Sequence, residues 1–197
     1  MDKCRILSDK YEEYLSILLY KNIIIDLCKY VKNTFTPNTI TSVNVIVRII
    51  IICIIRKSKK YTCIIGILLF ISLVLDYMDG CIARVTNSAT AFGDLYDHIS
   101  DCIFYLLFTY FCSLRIRNQH HFYLIVFLVS IAKISGSLYI ACQWKYFDKH
   151  VNHKPFANLF SSCCPNKHFI HSVKNIGGCV ALYSLFFFMY FICDDLL

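Results

Sequence analysis

Charged residues, glycine and proline are all scarce in this chain of 197 residues. Asp, Glu, Lys and Arg make up 17% of it and hydrophobic residues 57%, with only six glycines and three prolines. The mean hydropathy of +0.56 excludes an ordinary soluble globule. Most apolar residues fall in long runs instead of alternating with polar ones. The composition therefore predicts an integral membrane protein with one principal domain.

A nucleic-acid-binding motif and a secretory signal are also lacking. The net charge is +7, but the basic residues lie in short loops between apolar runs, which is typical of topology signals and headgroup contacts. We therefore predict no nucleic-acid partner. The first fifteen residues carry acids and lack a basic-then-apolar pattern, so we expect no cleaved leader.

The twelve cysteines show no repeated spacing, so they do not predict a disulfide framework. Most lie in or beside apolar runs, where a free cysteine behaves as a small buried hydrophobe. We expect packing as free thiols for Cys53, Cys63, Cys81, Cys102, Cys112, Cys142, Cys179 and Cys193.

One polar loop, within residues 145–175, concentrates histidine and cysteine. Zinc binding is one interpretation of such spacings. The order of the residues is not that of a standard zinc finger, so ordinary interfacial histidines are the favoured interpretation. The residues concerned are His150, His153, Cys163, Cys164, His168 and His171.

Five apolar stretches approach the length that crosses a bilayer. An amphipathic segment with interspersed acids and lysines precedes them, from Tyr11 to Val31, and predicts an interfacial helix. We therefore predict an all-α polytopic membrane helix bundle, with an N-terminal interfacial segment over 1–33 and a membrane domain over 34–197. The predicted spans are about 38–55, 61–77, 91–114, 122–143 and 175–193.

Two features of the spans stand out. Pro37 restricts the preceding residue to an extended conformation, so Asn38 or Thr39 is expected to cap the first span. Arg48 lies inside that span and Lys133 inside the fourth. Each of these cations either lines a polar cavity or lipid-phosphate site, or extends to the membrane surface.

Acidic residues are few, yet five of the thirteen lie within 26 residues, from the end of the second span to the first half of the third. Each carboxylate at membrane depth costs about 2.5–3.5 kcal/mol, so a purely structural role is disfavoured. Asp76 and Asp79 are three apart and share a helix face, as do Asp97 and Asp101, with Asp94 one turn earlier. So many carboxylates need a cation, and oxygen ligands favour Mg²⁺, Mn²⁺ or Ca²⁺.

Small residues and an arginine accompany these acids. Gly80 and Ala83 permit a ligand or a helix to approach the backbone closely. Arg84 is a bidentate phosphate ligand by its chemistry. Because a metal and an arginine together neutralise a pyrophosphate during displacement at phosphorus, the stretch predicts a pyrophosphate site.

The complete pattern D-x2-D-G-x2-A-R-x8-G-x3-D-x3-D resembles the signature of the CDP-alcohol phosphatidyltransferase family. The resemblance implies two Mg²⁺ or Mn²⁺ ions, a CDP-alcohol and a diacylglycerol-type lipid as substrates, an active site facing the cytosol, and a homodimer. The metal ligands that it implies are Asp76, Asp79, Asp97 and Asp101. The CDP contacts that it implies are Gly80, Ala83, Arg84 and Gly93, with Asn38 and Thr41 bordering the nucleotide pocket.

Flanking residues narrow the resemblance to the choline/ethanolamine phosphotransferase branch. Residues 86–88 read T-N-S, residues 93–98 read G-D-L-Y-D-H, and residues 141–146 read A-C-Q-W-K-Y, each similar to a segment of that branch. Asp94 replaces the Glu of the branch, and five predicted spans compare with six in the family core. The expected reaction transfers a phospho-alcohol from CDP-choline or CDP-ethanolamine to a lipid hydroxyl and releases CMP.

A general base is needed for that reaction. His98 is our candidate, with Asp101 or Asp94 assisting, because imidazole titrates near neutral pH. The alternative for His98 is that it orients Asp97. Alternatives for the whole chain are a CDP-diacylglycerol-dependent enzyme that uses inositol or glycerol phosphate, and an inactive or transport-type membrane relative.

Overall fold

The computed structural model describes residues 4, 7–8, 10–57, 61–114, 119–147 and 162–177. This part of the chain is helical and contains no strand, which confirms the all-α prediction. The elements are α1 (Tyr14–Leu19), a π-helical turn (Tyr20–Ile24), α2 (Ile25–Val31), α3 (Pro37–Lys57), α4 (Thr62–Val85), α5 (Ala91–Ser113), α6 (Gln119–Phe147), a 3₁₀ turn (Lys167–Phe169) and α7 (Ile170–Gly177).

Two helices of the described chain are long and apolar enough to cross a membrane, Pro37–Lys57 and Cys63–Val85. Large apolar side chains on their surfaces are exposed, as lipid-facing residues would be, and Ile46 and Ile67 are examples. Helices α5 and α6 cover the predicted third and fourth spans, whereas most of the fifth lies outside the described residues. The five-span topology stays a prediction.

Helix α3 begins at Pro37, so the expectation that Asn38 or Thr39 caps it is wrong. Thr36 Oγ1 accepts a hydrogen bond from the Thr39 backbone N–H at 3.3 Å. Proline is favoured at the first helical position because its fixed φ suits the helix and its missing N–H has no intrahelical partner there. The cap is therefore one residue before the proline.

Helix α4 continues to Val85, eight residues beyond the predicted end of the second span. The whole first half of the acidic motif is therefore helical. The helix ends in a tight turn, in which Asn87 has a positive φ of 51° and the Ser88 N–H donates to the Ala83 carbonyl at 3.0 Å. Asparagine tolerates this left-handed conformation better than most residues, which gives the T-N-S segment a structural reason.

The next helix starts three residues after that turn. The Thr90 side chain caps α5 by accepting from the Gly93 N–H at 3.0 Å. A side-chain oxygen at this position satisfies one of the amide groups that a helix leaves unpaired at its start. The turn and the cap together set where the second half of the acidic motif lies relative to α4.

Helix α3 packs against both α4 and α5. The core between them is made of the buried side chains Ile51, Ile55, Ile65, Phe104 and Phe108. Since α3 contacts both α4 and α5, a polar residue on its inner face can reach acids from both of these helices.

The N-terminal segment packs against α4 rather than standing apart from it. Tyr20, Ile24 and Cys28 are buried in one cluster with Met78 and Ile82. The structure confirms a helix close to the expected range of 11–31. The helix begins at Tyr14 and is interrupted by the π-helical turn. A separate cluster joins α6 to α7, around buried Tyr139, Ile170 and Val173.

Two disulfides contradict the prediction that Cys81 and Cys142 pack as free thiols. Cys4 pairs with Cys81, and Cys142 pairs with Cys164. The Cα atoms of the two pairs are 4.4 and 5.4 Å apart, within the range that a disulfide spans. Each partner is brought close by a fold-back of the chain, which sequence spacing does not reveal.

The other cysteines divide between surface and interior. Cys53, Cys63 and Cys102 are free thiols, as expected, but they are exposed instead of buried. Cys112 is a partly buried thiol, while Cys179 and Cys193 lie outside the described residues.

The histidine- and cysteine-containing loop is only partly described. Its Cys164 is oxidised in the disulfide, so this residue cannot serve as the zinc ligand that one interpretation required. His150 and His153 lie outside the described residues.

Candidate active site

Three carboxylates of the acidic motif meet between the helices. Asp76 comes from α4, and Asp97 and Asp101 come from α5. Each side chain offers an oxygen, and these oxygens lie within 4.8 Å of one another. All three residues are partly buried. The structure therefore brings together three of the four predicted metal ligands.

The fourth predicted ligand, Asp79, makes a different contact. Its Oδ2 accepts a hydrogen bond from Thr41 Oγ1 at 2.7 Å. Both residues are buried, with 7% and 3% of their surfaces exposed. Thr41 was expected at the border of a nucleotide pocket, and here it positions a carboxylate one helical turn along α4 from Asp76.

Arg48 of α3 lies among the carboxylates. Its Nη2 is 3.0 Å from Asp76 Oδ1, and its Nη1 is 2.6 Å from Asp101 Oδ1. Nε donates to Ser72 Oγ at 3.1 Å, and Nη1 donates to Ser100 Oγ at 3.3 Å. The side chain is only 8% exposed. Arg48 therefore contacts polar groups in the interior of the described helices and does not extend to the membrane surface.

A sequence signal for this arrangement exists on α3. Thr41, Asn44 and Arg48 are spaced three and four residues apart, so they share one face of an otherwise apolar helix. All three are buried. In the amide orientation that suits its neighbours, Asn44 accepts from Arg48 Nη2 at 3.1 Å and donates to Ser72 Oγ at 2.6 Å. These polar residues at helical spacing are therefore the sequence signal that predicts Arg48 to lie beside the acids.

The donor set suits a hard divalent cation. The ligand atoms are carboxylate oxygens, which Mg²⁺ and Mn²⁺ prefer. Asp97 Oδ1 is buried and has no hydrogen-bond partner among the described residues. A buried carboxylate oxygen in that position costs free energy unless a cation or a donor reaches it. The residues present therefore fit the metal that the motif implies.

The candidate base adjoins this group. His98 Nδ1 is 3.4 Å from Asp97 Oδ2, and both side chains are about one-quarter exposed. This contact suits either role given to His98, since a carboxylate can orient an imidazole and can also stabilise its protonated form. Asp94 lies in the first turn of α5, one turn before His98.

A close approach of α3 to α5 occurs at Gly93. A Cβ atom added there would lie 2.8 Å from Asn38 Oδ1 and 3.2 Å from Thr90 Oγ1. No side chain fits without a shift of its neighbours. Glycine at this position therefore lets Asn38, at the start of α3, approach the start of α5 closely. That Asn38 and Gly93 contribute to a nucleotide pocket stays a prediction.

Arg84, the predicted pyrophosphate ligand, contacts the N-terminal segment. Its Nε donates to the Cys4 carbonyl at 2.8 Å, and its Nη2 donates to Tyr20 Oη at 3.0 Å. Burial raises the pKa of the Tyr20 phenol, and the charge of Arg84 opposes part of that rise. A Cβ atom on Gly80 would lie 3.1 Å from Arg84 Nη1, so Gly80 leaves space for this arginine. Ala83, the remaining predicted contact, is partly buried on the same helix.

The sequence of the chain matches a known protein family. The profile of the CDP-alcohol phosphatidyltransferase family matches residues 34–191. The chain belongs to that family, which confirms the resemblance.

The relatives lie in the branch that the flanking residues indicate. The chain is 27% identical over 134 residues to ethanolaminephosphotransferase 1 of Homo sapiens and 28% identical over 134 residues to that of Mus musculus. Each alignment covers 66% of this chain and 32% of the relative, so the chain spans about one-third of the length of the curated relatives that it matches. No solved structure gives a significant match.

Proposed function

We propose that this chain transfers a phospho-alcohol from a CDP-alcohol to a lipid hydroxyl and releases CMP, in the manner of phospholipid synthesis. The observation that carries the proposal is the meeting of three carboxylates from α4 and α5 within 4.8 Å, inside a complete family motif. The two relatives are ethanolaminephosphotransferases by name, which favours CDP-ethanolamine as the first donor to test.

The carboxylates would hold the metal. Asp76, Asp97 and Asp101 supply oxygens to one position, and Asp79 lies one turn away on α4. When held by these residues, Mg²⁺ or Mn²⁺ would supply positive charge to the donor's pyrophosphate and to the leaving CMP. The family resemblance implies two such ions.

The proton of the acceptor hydroxyl needs a base. As the hydroxyl oxygen bonds to the β-phosphorus, the bond from that phosphorus to the CMP oxygen breaks and the hydroxyl proton is released. With His98 Nδ1 facing Asp97, we assign Nε2 to take that proton, and the nearby carboxylates stabilise the resulting imidazolium. Asp94 and Asp101 assist by their charge.

An apolar pocket of about 380 Å³ beside the carboxylates suits the acyl chain of the acceptor. It lies between α3 and α5 and includes Ile49, Ile52, Ile99 and Ile103, with Arg48 and Ser100 in its lining. Pockets of this size accommodate small apolar ligands. An acyl chain in this pocket would bring the lipid close to the acids. A diacylglycerol-type acceptor is the corresponding substrate class.

The wider setting follows from the family. We expect a multi-pass membrane protein whose carboxylates face the cytosol, and a homodimer is part of the same expectation. The Arg84 contacts with the N-terminal segment differ from the expected pyrophosphate contact. We therefore expect Arg84 to exchange these partners for phosphate oxygens when the donor binds.

The test is a comparison of donors in purified, detergent-solubilised protein. Labelled CDP-ethanolamine, CDP-choline and CDP-diacylglycerol are offered with diacylglycerol, inositol or glycerol phosphate as acceptors, with Mg²⁺ or with EDTA. We expect Mg²⁺-dependent CMP release from CDP-ethanolamine or CDP-choline with diacylglycerol. Release only from CDP-diacylglycerol would support the inositol or glycerol phosphate alternative. No release from any pair would support the inactive or transport-type relative.

A further inference from the structure

The Arg48 guanidinium lies at the centre of the acidic cluster, although it is not part of the acidic motif. Two of the predicted metal ligands each form an ion pair with it through one carboxylate oxygen. Asp76 Oδ1 lies 3.0 Å from Nη2, and Asp101 Oδ1 lies 2.6 Å from Nη1. The arginine therefore occupies the space between these two acids, which a cation shared by them would also need.

Neutral partners hold the guanidinium in this position independently of the acids. Ser72 and Ser100 accept from it at 3.1 and 3.3 Å. Asn44, which is fully buried, lies 3.1 Å from Nη2 in the orientation that lets it accept. The Phe104 ring centroid is 5.3 Å from Cζ, which is a cation–π distance.

These contacts oppose an exit of the side chain. Arg48 is 7% exposed and lies in the middle of α3, so leaving the cluster would break several hydrogen bonds and place a charge in an apolar surrounding. A buried charge that loses its partners is strongly unfavourable. A second divalent cation between Asp76 and Asp101 would also be repelled by the guanidinium.

We propose that Arg48 is a built-in counter-ion that replaces one of the two metal ions, so that the acidic cluster binds a single divalent cation. This cation would bind at Asp97, whose Oδ1 lacks a hydrogen-bond partner among the described residues, with the carboxylates of Asp76 and Asp101 close by. Arg48 is thus a positioning residue, because it fixes two carboxylates and acts on the donor through them. The inference rests on the proposed function for its metal but departs from the two-ion expectation.

The test counts bound ions. Purified protein is dialysed against Mn²⁺, and free Mn²⁺ is measured by electron paramagnetic resonance to give the number bound per chain. Wild-type protein is expected to bind one Mn²⁺ and Arg48→Gln protein two. Arg56→Gln, which changes an exposed arginine of the same helix, is the matched control and is expected to bind one.

Two results would overturn the inference. The first is that wild-type protein binds two Mn²⁺ ions, or none. This count does not depend on whether a variant folds. The other is a single ion in folded Arg48→Gln protein. CMP release measured on the same wild-type samples separates this inference from the proposed reaction. If wild-type protein binds one ion and releases no CMP, the proposed reaction is wrong and the role of Arg48 stands. If it binds two ions and releases CMP, the reaction stands and the role of Arg48 is wrong.

Discussion

Arg48 and Arg84 show how differently two regions of this protein hold an arginine. In the region around Arg48, which we call the carboxylate region, α4 and α5 contribute acids and hydroxyls to the guanidinium, which belongs to α3. In the region around Arg84, which we call the N-terminal contact, a backbone carbonyl and a phenol accept its hydrogen bonds. Charge neutralisation organises the first region, whereas a disulfide and apolar packing organise the second.

The comparison shows that an arginine outside the family motif, and not the arginine within it, forms the ion pairs with the acids of the motif. Arg84 belongs to the family signature, yet its hydrogen bonds join α4 to the N-terminal segment. Arg48 lies outside the signature and still pairs with Asp76 and Asp101. The two regions should therefore respond differently to metal, to reductant and to substitution.

The largest expected effect is the loss of Arg48. In EDTA, Arg48→Met should lower the free energy of unfolding by about 3–5 kcal/mol, because breaking a buried ion pair leaves carboxylates without their counter-charge. Added Mg²⁺ should recover part of this loss by neutralising Asp76 and Asp101. Thermal unfolding in detergent measures both effects, with the exposed Arg56→Met as control. Equal stability of Arg48→Met and wild type would contradict the ion-pair description of the carboxylate region.

The next effect concerns the N-terminal contact. Cys4→Ser removes a disulfide between residues 77 apart, and the loss of such a cross-link costs about 2–4 kcal/mol. Mg²⁺ should not restore this stability, since no charge of the acidic cluster is involved. Cys28→Ser is the control, because Cys28 is a nearby buried thiol that forms no disulfide. Recovery of Cys4→Ser stability by Mg²⁺ would show that the two regions are not independent.

A smaller difference is expected between two glycines. Gly93→Ala places a Cβ 2.8 Å from Asn38 Oδ1, whereas Gly80→Ala places one 3.1 Å from the flexible end of Arg84. Overpacking costs about 1–3 kcal/mol when neighbours cannot move, so Gly93→Ala should be the more destabilising of the two. Chemical denaturation of both variants tests this order. A larger loss in Gly80→Ala would mean that Arg84 is held more rigidly than Asn38.

The smallest effect concerns the helix cap that joins the two halves of the motif. Thr90→Ala removes the acceptor for the Gly93 N–H and should cost about 1 kcal/mol, as other N-cap substitutions do. Thr90→Ser keeps the hydroxyl and should remain close to wild type. If thermal unfolding gave Thr90→Ser the same loss as Thr90→Ala, the methyl group and not the cap would be responsible.

Much of the carboxylate region could be predicted from sequence, because helical spacing places residues on a face. Asp97 and Asp101, four apart, do share a face and meet Asp76. The position of Arg48 is harder to predict, since a lone cation in a span has two explanations. The buried polar residues Thr41 and Asn44 on the same helix face favour the interior position.

The N-terminal contact could not be predicted in the same way. Cys4 and Cys81 are 77 residues apart, and nothing in their spacing specifies that the chain folds back. The direction of Arg84 depends on that fold-back, because its acceptors are Cys4 and Tyr20. Long-range pairing of this kind depends on the tertiary structure and not on local periodicity.

The most direct test of the account compares CMP release by wild-type and Asp97→Asn protein, with labelled CDP-ethanolamine, diacylglycerol, and either Mg²⁺ or EDTA. Asp97→Asn keeps the size of the side chain and removes the charge of a carboxylate whose buried Oδ1 has no hydrogen-bond partner among the described residues. We predict CMP release by wild-type protein in Mg²⁺ only, and none by folded Asp97→Asn protein. Wild-type turnover in Asp97→Asn protein, or equal release in EDTA, would contradict the assignment of the acidic cluster as a metal-dependent transfer site.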